Sequence, residues 1–153
     1  MFEQQGGFTL LFATLTASLL MTISFAVFRL TLKEAQLTTA VKDSQGAFYA
    51  ADVGIECALY WDFQTVRSAF DPTLTAPHII ECIGVPHTIT GNGGPDQKYP
   101  LFKFETTDYC IELSVEKKAG PPRLTILQSR GFSTCDVTHP RRIERAIDVS
   151  YTN

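Results

Sequence analysis

The chain has 153 residues, of which 44% are apolar and 19% are charged, and its formal net charge is −3 at pH 7. These values suit a single small folded domain and argue against both a disordered chain and a multidomain enzyme. Because the net charge is negative and the basic residues are mostly dispersed, bulk electrostatics do not favour a nucleic-acid-binding protein.

The first predicted element is an apolar helix that contains no Asp, Glu, Lys, Arg or His over residues 8–28. A helix of about 21 residues is roughly 32 Å long, close to the ~30 Å hydrocarbon core of a bilayer, so we expect a transmembrane segment there. A buried core helix would need more surrounding chain. A secretory signal would have its cleavage site after the apolar run. Because Gly6 and Gly7 precede the run, we predict a leader over 1–7 whose removal keeps the helix.

The helical pattern continues beyond the apolar run, over residues 29–62. Apart from an interruption at Glu34, apolar or small residues recur there in steps of three and four, with polar residues between them: Leu30, Leu37, Val41, Ser44, Phe48, Ala51, Ile55 and Ala58. This pattern predicts an amphipathic half of the same helix, whose apolar stripe lies on a folded head. A coiled coil of about four heptads is the alternative. The aromatic residues near its end predict a helix-to-head core or a carbohydrate-stacking surface: Phe48, Tyr49, Tyr60, Trp61 and Phe63.

The remaining residues, 63–153, predict a small antiparallel β head. Prolines between 63 and 77 predict an irregular connection, and 79–83 form a short apolar run. Residues 101–116, 124–129 and 143–151 predict the main strands, largely from an alternation with a period of two. A sheet of about three to five strands needs a cover on its apolar face, and the amphipathic helix is the candidate. The predicted fold class is therefore α+β.

Four cysteines follow the apolar segment: Cys57, Cys82, Cys110 and Cys135. Their even number and their position favour two disulfides formed in an oxidising compartment. Spacings of 25, 28 and 25 residues lack the close pairs that zinc sites use, so we expect no metal. Pairing the first with the second and the third with the fourth is favoured because it closes short loops, while the other connectivities stay open.

Catalytic residues are not evident, so we expect a protein that is not an enzyme and needs no cofactor. His78, His87 and His139 have neither the spacing of a paired metal site nor the Ser and Asp partners of a hydrolase. Scattered surface histidines are the simpler interpretation.

Two charged groups are candidate interaction sites. A first interpretation of Arg141, Arg142 and Arg145 is a basic patch that binds nucleic acid or an acidic partner such as a surface receptor. The alternative is a solvated strand edge. Asp52 and Glu56 lie one helical turn apart, so they either pair with a basic group of a neighbouring subunit or face water.

The residues Gly6-Gly7-Phe8-Thr9-Leu10-Leu11 resemble the class III signal of type IV pilins and pseudopilins. Residues 47–56, 129–131 and 142–151 resemble stretches of PilX-type minor pilins. The resemblance implies that a prepilin peptidase cuts after Gly7, that Phe8 becomes a methylated N-terminus, and that the fold is pilin-like. It also implies a subunit anchored by one span in the cytoplasmic membrane, with an exported head, until it joins other pilin subunits in a cell-surface fibre.

Two features depart from the pilin pattern. Major pilins carry Glu at the fifth mature position, which here is Phe12. Since a buried N-terminal amine without a carboxylate is costly, this departure favours a minor subunit at or near the filament tip. The second departure is a leader without Lys or Arg, although such leaders are normally basic. Either the simple orientation rule does not hold for Arg29 or the true start is not Met1.

The implied function is a non-enzymatic minor pilin or pseudopilin, which supports fibre initiation, adhesion, motility or DNA uptake. Ala13 and Ala17 form one of several pairs of small residues, four apart, that let neighbouring helices approach closely. The alternative function is a single-pass, membrane-anchored, extracytoplasmic ligand-binding domain that does not polymerise.

Overall fold

The computed structural model describes residues 6–63, 68–106 and 108–152. Most of the predicted leader, residues 1–5, lies outside this range. The described residues form one helix and seven strands: α1 (Gly6–Phe63), β1 (His78–Cys82), β2 (Val85–Ile89), β3 (Gln97–Lys98), β4 (Phe102–Glu105), β5 (Cys110–Lys118), β6 (Leu124–Phe132) and β7 (Glu144–Thr152). A long N-terminal helix and a small antiparallel sheet confirm the α+β class.

The chain divides into two compact units, Met1–Val41 and Lys42–Asn153. The first unit consists, in its described part, of helix alone, and every side chain over residues 8–41 is exposed. The second unit holds the end of α1 and all the strands. Its core therefore forms without the apolar N-terminal segment.

The main sheet is antiparallel, with β5, β6 and β7 side by side and both β3 and β4 on the far edge of β5. Leu113 pairs with Ser129, which in turn pairs with Ile147. Side chains at alternate positions of β5 and β6 face α1, as Leu113, Val115 and Leu127 show by their complete burial. The period of two predicted for these strands follows from burial on this one face.

The helix meets the sheet through small side chains, with Ala47, Ala51 and Ala58 completely buried. At Gly131 of β6, an added Cβ would lie 2.0 Å from the carbonyl oxygen of Ala47. The backbones of helix and strand therefore approach so closely that only a glycine fits on the strand.

The predicted apolar stripe is only partly correct, because several of its bulky members are exposed. Leu30, Leu37 and Val41 are exposed, and Phe48 is 48% exposed. Tyr49, Tyr60 and Phe63 of the predicted aromatic core are exposed as well. The close approach at Gly131 accounts for the small residues at Ala47, Ala50 and Ala51, because a large side chain there would hold helix and strand apart.

Strand β2 is absent from the sequence-based prediction, which ends regular structure at Gly84 and Pro86. In the structure β1 and β2 form a separate two-stranded hairpin, in which Glu81 pairs with Pro86. Pro86 is compatible with such a pair because each strand has a free edge that requires no N–H donor. The two turn residues, Ile83 and Gly84, both have positive φ, at 56° and 71°.

Both disulfides lie in the second unit, where Cys57 is joined to Cys82 and Cys110 to Cys135. The Cα atoms are 5.9 and 5.1 Å apart, and each bridge spans 25 residues. The first links α1 to β1, and the second links β5 to the loop after β6. This is the pairing that closes short loops.

Reduction should destabilise the head strongly. Each closed loop of about 25 residues is expected to contribute about 3 kcal/mol, against a total of about 5–15 kcal/mol for a typical domain. We expect the melting temperature of the exported head, expressed from Leu30 onward, to fall by more than about 10 °C on reduction. Calorimetry with and without reductant measures the shift. Labelling of four free thiols in the folded, unreduced head would contradict the disulfide assignment.

Candidate functional site

The apolar part of α1 has the length and composition of a membrane span. Among the described residues, one helix of this kind is found. Its most apolar window of 18 residues has a mean hydropathy of 2.0 and is fully exposed in the isolated chain. An exposed surface of this kind is unfavourable in water and favourable in a bilayer or against other apolar helices.

Hydroxyl side chains within this apolar segment donate hydrogen bonds to the helix itself. Thr14 donates to the carbonyl of Leu11 at 2.9 Å, and Thr22 donates to that of Leu19 at 2.8 Å. Thr16, Ser18 and Ser24 donate in the same way. Because these donors are satisfied locally, the segment can enter hydrocarbon without the cost of an unmatched hydroxyl donor.

The residues predicted for processing and packing lie at the start of α1. Gly6 and Gly7 are the first helical positions described, and Phe8 follows with its side chain exposed. Phe12 is also exposed, at 61% of its surface. Ala13 and Ala17 are exposed one helical turn apart, so a second helix has access to them.

The two predicted carboxylates lie on the outer surface of α1 where it covers the sheet. Glu56 is exposed and Asp52 is half-buried. Among the described residues neither side chain forms a hydrogen bond or an ion pair within the chain. They remain candidates for contact with another molecule.

The three predicted arginines do not form one patch of free cations. The Arg142 guanidinium stacks 3.7 Å from the ring centroid of Phe132, and its Nε donates to the carbonyl of Thr134. Arg145 donates from Nε and Nη2 to Ser44 Oγ, at 2.9 and 2.7 Å. Two of the three side chains therefore make contacts within the head; Arg141 and Arg145 are exposed, and Arg142 is half-buried.

A buried charge cluster, which the sequence analysis missed, joins the end of α1 to the sheet. Lys117 Nζ lies 2.6 and 2.8 Å from the two carboxylate oxygens of Asp62, whose side chain is completely buried. Ser68 and Tyr151 also donate hydroxyl hydrogen bonds to Asp62. Burial, and secondly the bond to Asp62, raise the pKa of Tyr151, which therefore stays protonated as a donor. The alternation of β5 places Lys117 on the inner face, so it could have marked this lysine as buried, although it does not identify Asp62 as its partner.

An apolar cavity of about 210 Å³ lies beside α1 on the head surface. Its lining comes from the helix, the tip of the β1–β2 hairpin and the start of β5 with the preceding loop: Tyr49, Ala50, Val53, Ile83, Thr106, Tyr109 and Ile111. Tyr49 is 64% exposed and Ile83 is 47% exposed, so the cavity opens to solvent. Its surface suits an apolar side chain rather than a charged ligand.

Three comparisons with known proteins give no relative from which a function could be transferred. A scan against protein-family models finds no matching family. Searches of curated proteins and of solved structures likewise find no match.

Proposed function

We propose that this chain is a non-enzymatic type IV pilin-like subunit, anchored in a membrane by α1 and assembled through α1 into a fibre. The observation that carries the proposal is the uninterrupted course of α1 from Gly6 to Phe63. Its N-terminal part is apolar and exposed, whereas its last turns belong to the core of a disulfide-linked head. Gly6 and Gly7 before the apolar run, with Phe8 as the first residue of the run, supply the processing site.

The exposed surface of α1 supports both stages of this function. Before assembly, lipid covers the apolar residues that follow Phe8. In a fibre, the same residues pack against other helices, and the exposed pair Ala13 and Ala17 allows a close approach. Because the Thr and Ser hydroxyls donate to carbonyls of the same helix, the segment is compatible with both lipid and the interior of a fibre.

Phe12 supports a minor subunit at or near the tip. In the apolar centre of a fibre, a buried amine without a carboxylate is strongly unfavourable. A chain with Phe12 offers no such carboxylate to a neighbour above it, whereas a tip subunit has no neighbour there to satisfy. Quantitative mass spectrometry of sheared fibres distinguishes the two places, because a tip subunit is rare and a shaft subunit is abundant.

A second candidate function is a membrane-anchored binding domain that stays monomeric. The apolar cavity beside Tyr49 and Ile83 favours it, because an open apolar cavity is a place for a ligand. The two functions differ in processing, since a monomeric anchor needs no prepilin peptidase.

Processing after Gly7 tests the proposal directly. When the full chain is produced together with an active prepilin peptidase, we expect its N-terminus to be Phe8, as measured by mass spectrometry of the intact protein. The Gly7→Val variant is the matched control and should remain uncut, because it removes the glycine after which the pilin resemblance places the cut. An intact Met1 in the presence of active peptidase would contradict the pilin proposal and favour the monomeric anchor.

A further inference from the structure

The apolar cavity and the carboxylates beside it form one continuous surface. Tyr49 and Val53 line the cavity from α1, and each lies three residues before a carboxylate on the same helix, Asp52 and Glu56 respectively. The carboxylates have no partner among the described residues of the chain. We call this surface, consisting of the cavity with Asp52 and Glu56, the acidic socket.

The residue at position 83 supports a binding role for the socket, because its type is unusual for its place in the turn. A β-branched residue with a positive φ is uncommon, and tight hairpin turns of this kind usually carry Asn, Asp or Gly instead. Ile83 nevertheless occupies the turn with φ at 56° and presents an exposed apolar side chain to the cavity. Its side chain thus contributes an apolar wall at a position where the backbone alone favours a polar residue or glycine.

The same helix carries a segment of complementary character. Residues 29–42 contain three basic residues, Arg29, Lys33 and Lys42, against the single acid Glu34. Their apolar members, including Leu37 and Val41, are exposed. By contrast, residues 43–56 contain three acidic residues and no basic residue. The charge along α1 thus reverses between two adjacent stretches of 14 residues.

We propose that the acidic socket binds residues 29–42 of a second copy of this chain. An apolar side chain of that segment, Leu37 or Val41, enters the cavity, and Lys42 pairs with Asp52 or Glu56 at its rim. The two copies of α1 run parallel, offset by about 14 residues or roughly 20 Å. The proposal rests on the proposed assembly function and defines one contact within it.

This contact is heterologous, because the socket of one copy meets a different surface of the next. A contact of this type does not close as a dimer, because it leaves a free socket on one copy and a free basic segment on the other, where different pilin subunits can join. The charge pairing favours the offset over an unshifted parallel pair, which would bring like charges together. The parallel direction follows from anchoring both copies in the same membrane with the same orientation.

Cross-linking of the full chain in membranes tests the contact. Two differently tagged copies are produced together, one with Val41→Cys and the other with Val53→Cys, and are treated with a short thiol cross-linker. We expect a mixed cross-linked pair between the two tags. The matched control replaces Val53→Cys with Asp148→Cys, which is exposed on β7, and should yield several-fold less product.

Charge exchange separates a specific contact from random collision. Lys42→Glu in the first copy should lower the yield of the mixed product about fivefold, as expected for an exposed ion pair. Glu56→Lys in the second copy should restore it. Loss without restoration by Glu56→Lys or by Asp52→Lys would overturn the pairing.

The Ala13→Cys variant distinguishes failure of the contact between the socket and residues 29–42 from failure of helix assembly as a whole. If Ala13→Cys copies cross-link to each other while the 41–53 pair does not, the acidic socket proposal is wrong and helix assembly stands. If neither pair cross-links, both proposals fail. Cross-linking of Val53→Cys to a different protein, without the mixed product, would likewise overturn the second copy as the occupant.

Discussion

Replacement of Lys117 by alanine is expected to lower the free energy of unfolding of the head by about 3–5 kcal/mol. The substitution leaves the Asp62 carboxylate in the core without its cation, while its two oxygens keep only the hydroxyl donors Ser68 and Tyr151. An uncompensated buried charge is among the most destabilising changes a small domain can suffer. Urea unfolding of the oxidised head, followed by circular dichroism, measures the loss.

The neighbouring lysine provides a matched control. Lys118 is about half exposed and pairs with Glu116 at the surface, 3.4 Å away, so Lys118→Ala should change stability by less than about 0.5 kcal/mol. The double variant Asp62→Leu with Lys117→Met should regain part of the loss, because it removes both charges together. Equal stability of the Lys117→Ala and Lys118→Ala heads would show that the buried pair does not stabilise the fold.

Replacement of Gly131 by alanine is expected to cost about 3 kcal/mol, although it adds only one methyl group. The new Cβ would lie 2.0 Å from the Ala47 carbonyl oxygen and 2.4 Å from the Ala51 amide nitrogen. Both are backbone atoms, so the conflict is relieved only by moving α1 away from β6. Thermal unfolding of the oxidised head quantifies the effect.

Gly84 is a suitable control because it isolates the backbone contribution. It lies in open space with φ at 71°, so Gly84→Ala should cost about 1–2 kcal/mol through its left-handed conformation alone. A Gly131→Ala head as stable as the Gly84→Ala head would mean that helix and strand are less closely packed than the structure indicates.

The strands with strict alternation were predictable, since burial on one face of a sheet is recorded directly in the sequence with a period of two. Strands β5, β6 and β7 therefore lie close to the predicted stretches. The β1–β2 hairpin left no such signal: its turn is Ile83-Gly84 rather than Asn-Gly, and Pro86 suggested an end to regular structure.

The helix-to-sheet contact was predicted only in part because bulky apolar residues dominate a periodicity argument. The structure shows that alanines and glycines make the contact while Phe48 and Tyr49 face outward. The Asp62–Lys117 pair was missed for a related reason. Each residue lies next to a turn or connection in sequence, and their meeting depends on a separation of 55 positions along the chain, which local patterns do not record.

Strand β7 pairs with β6 along one side, and among the described residues no further strand covers its other side. Nine residues of edge backbone are therefore available as a template for adventitious strand addition. Glu144, Arg145 and Asp148 place charges along this edge strand, which discourages such pairing. In any assembly that brings several heads together, these charges would therefore disfavour strand addition between one head and the next.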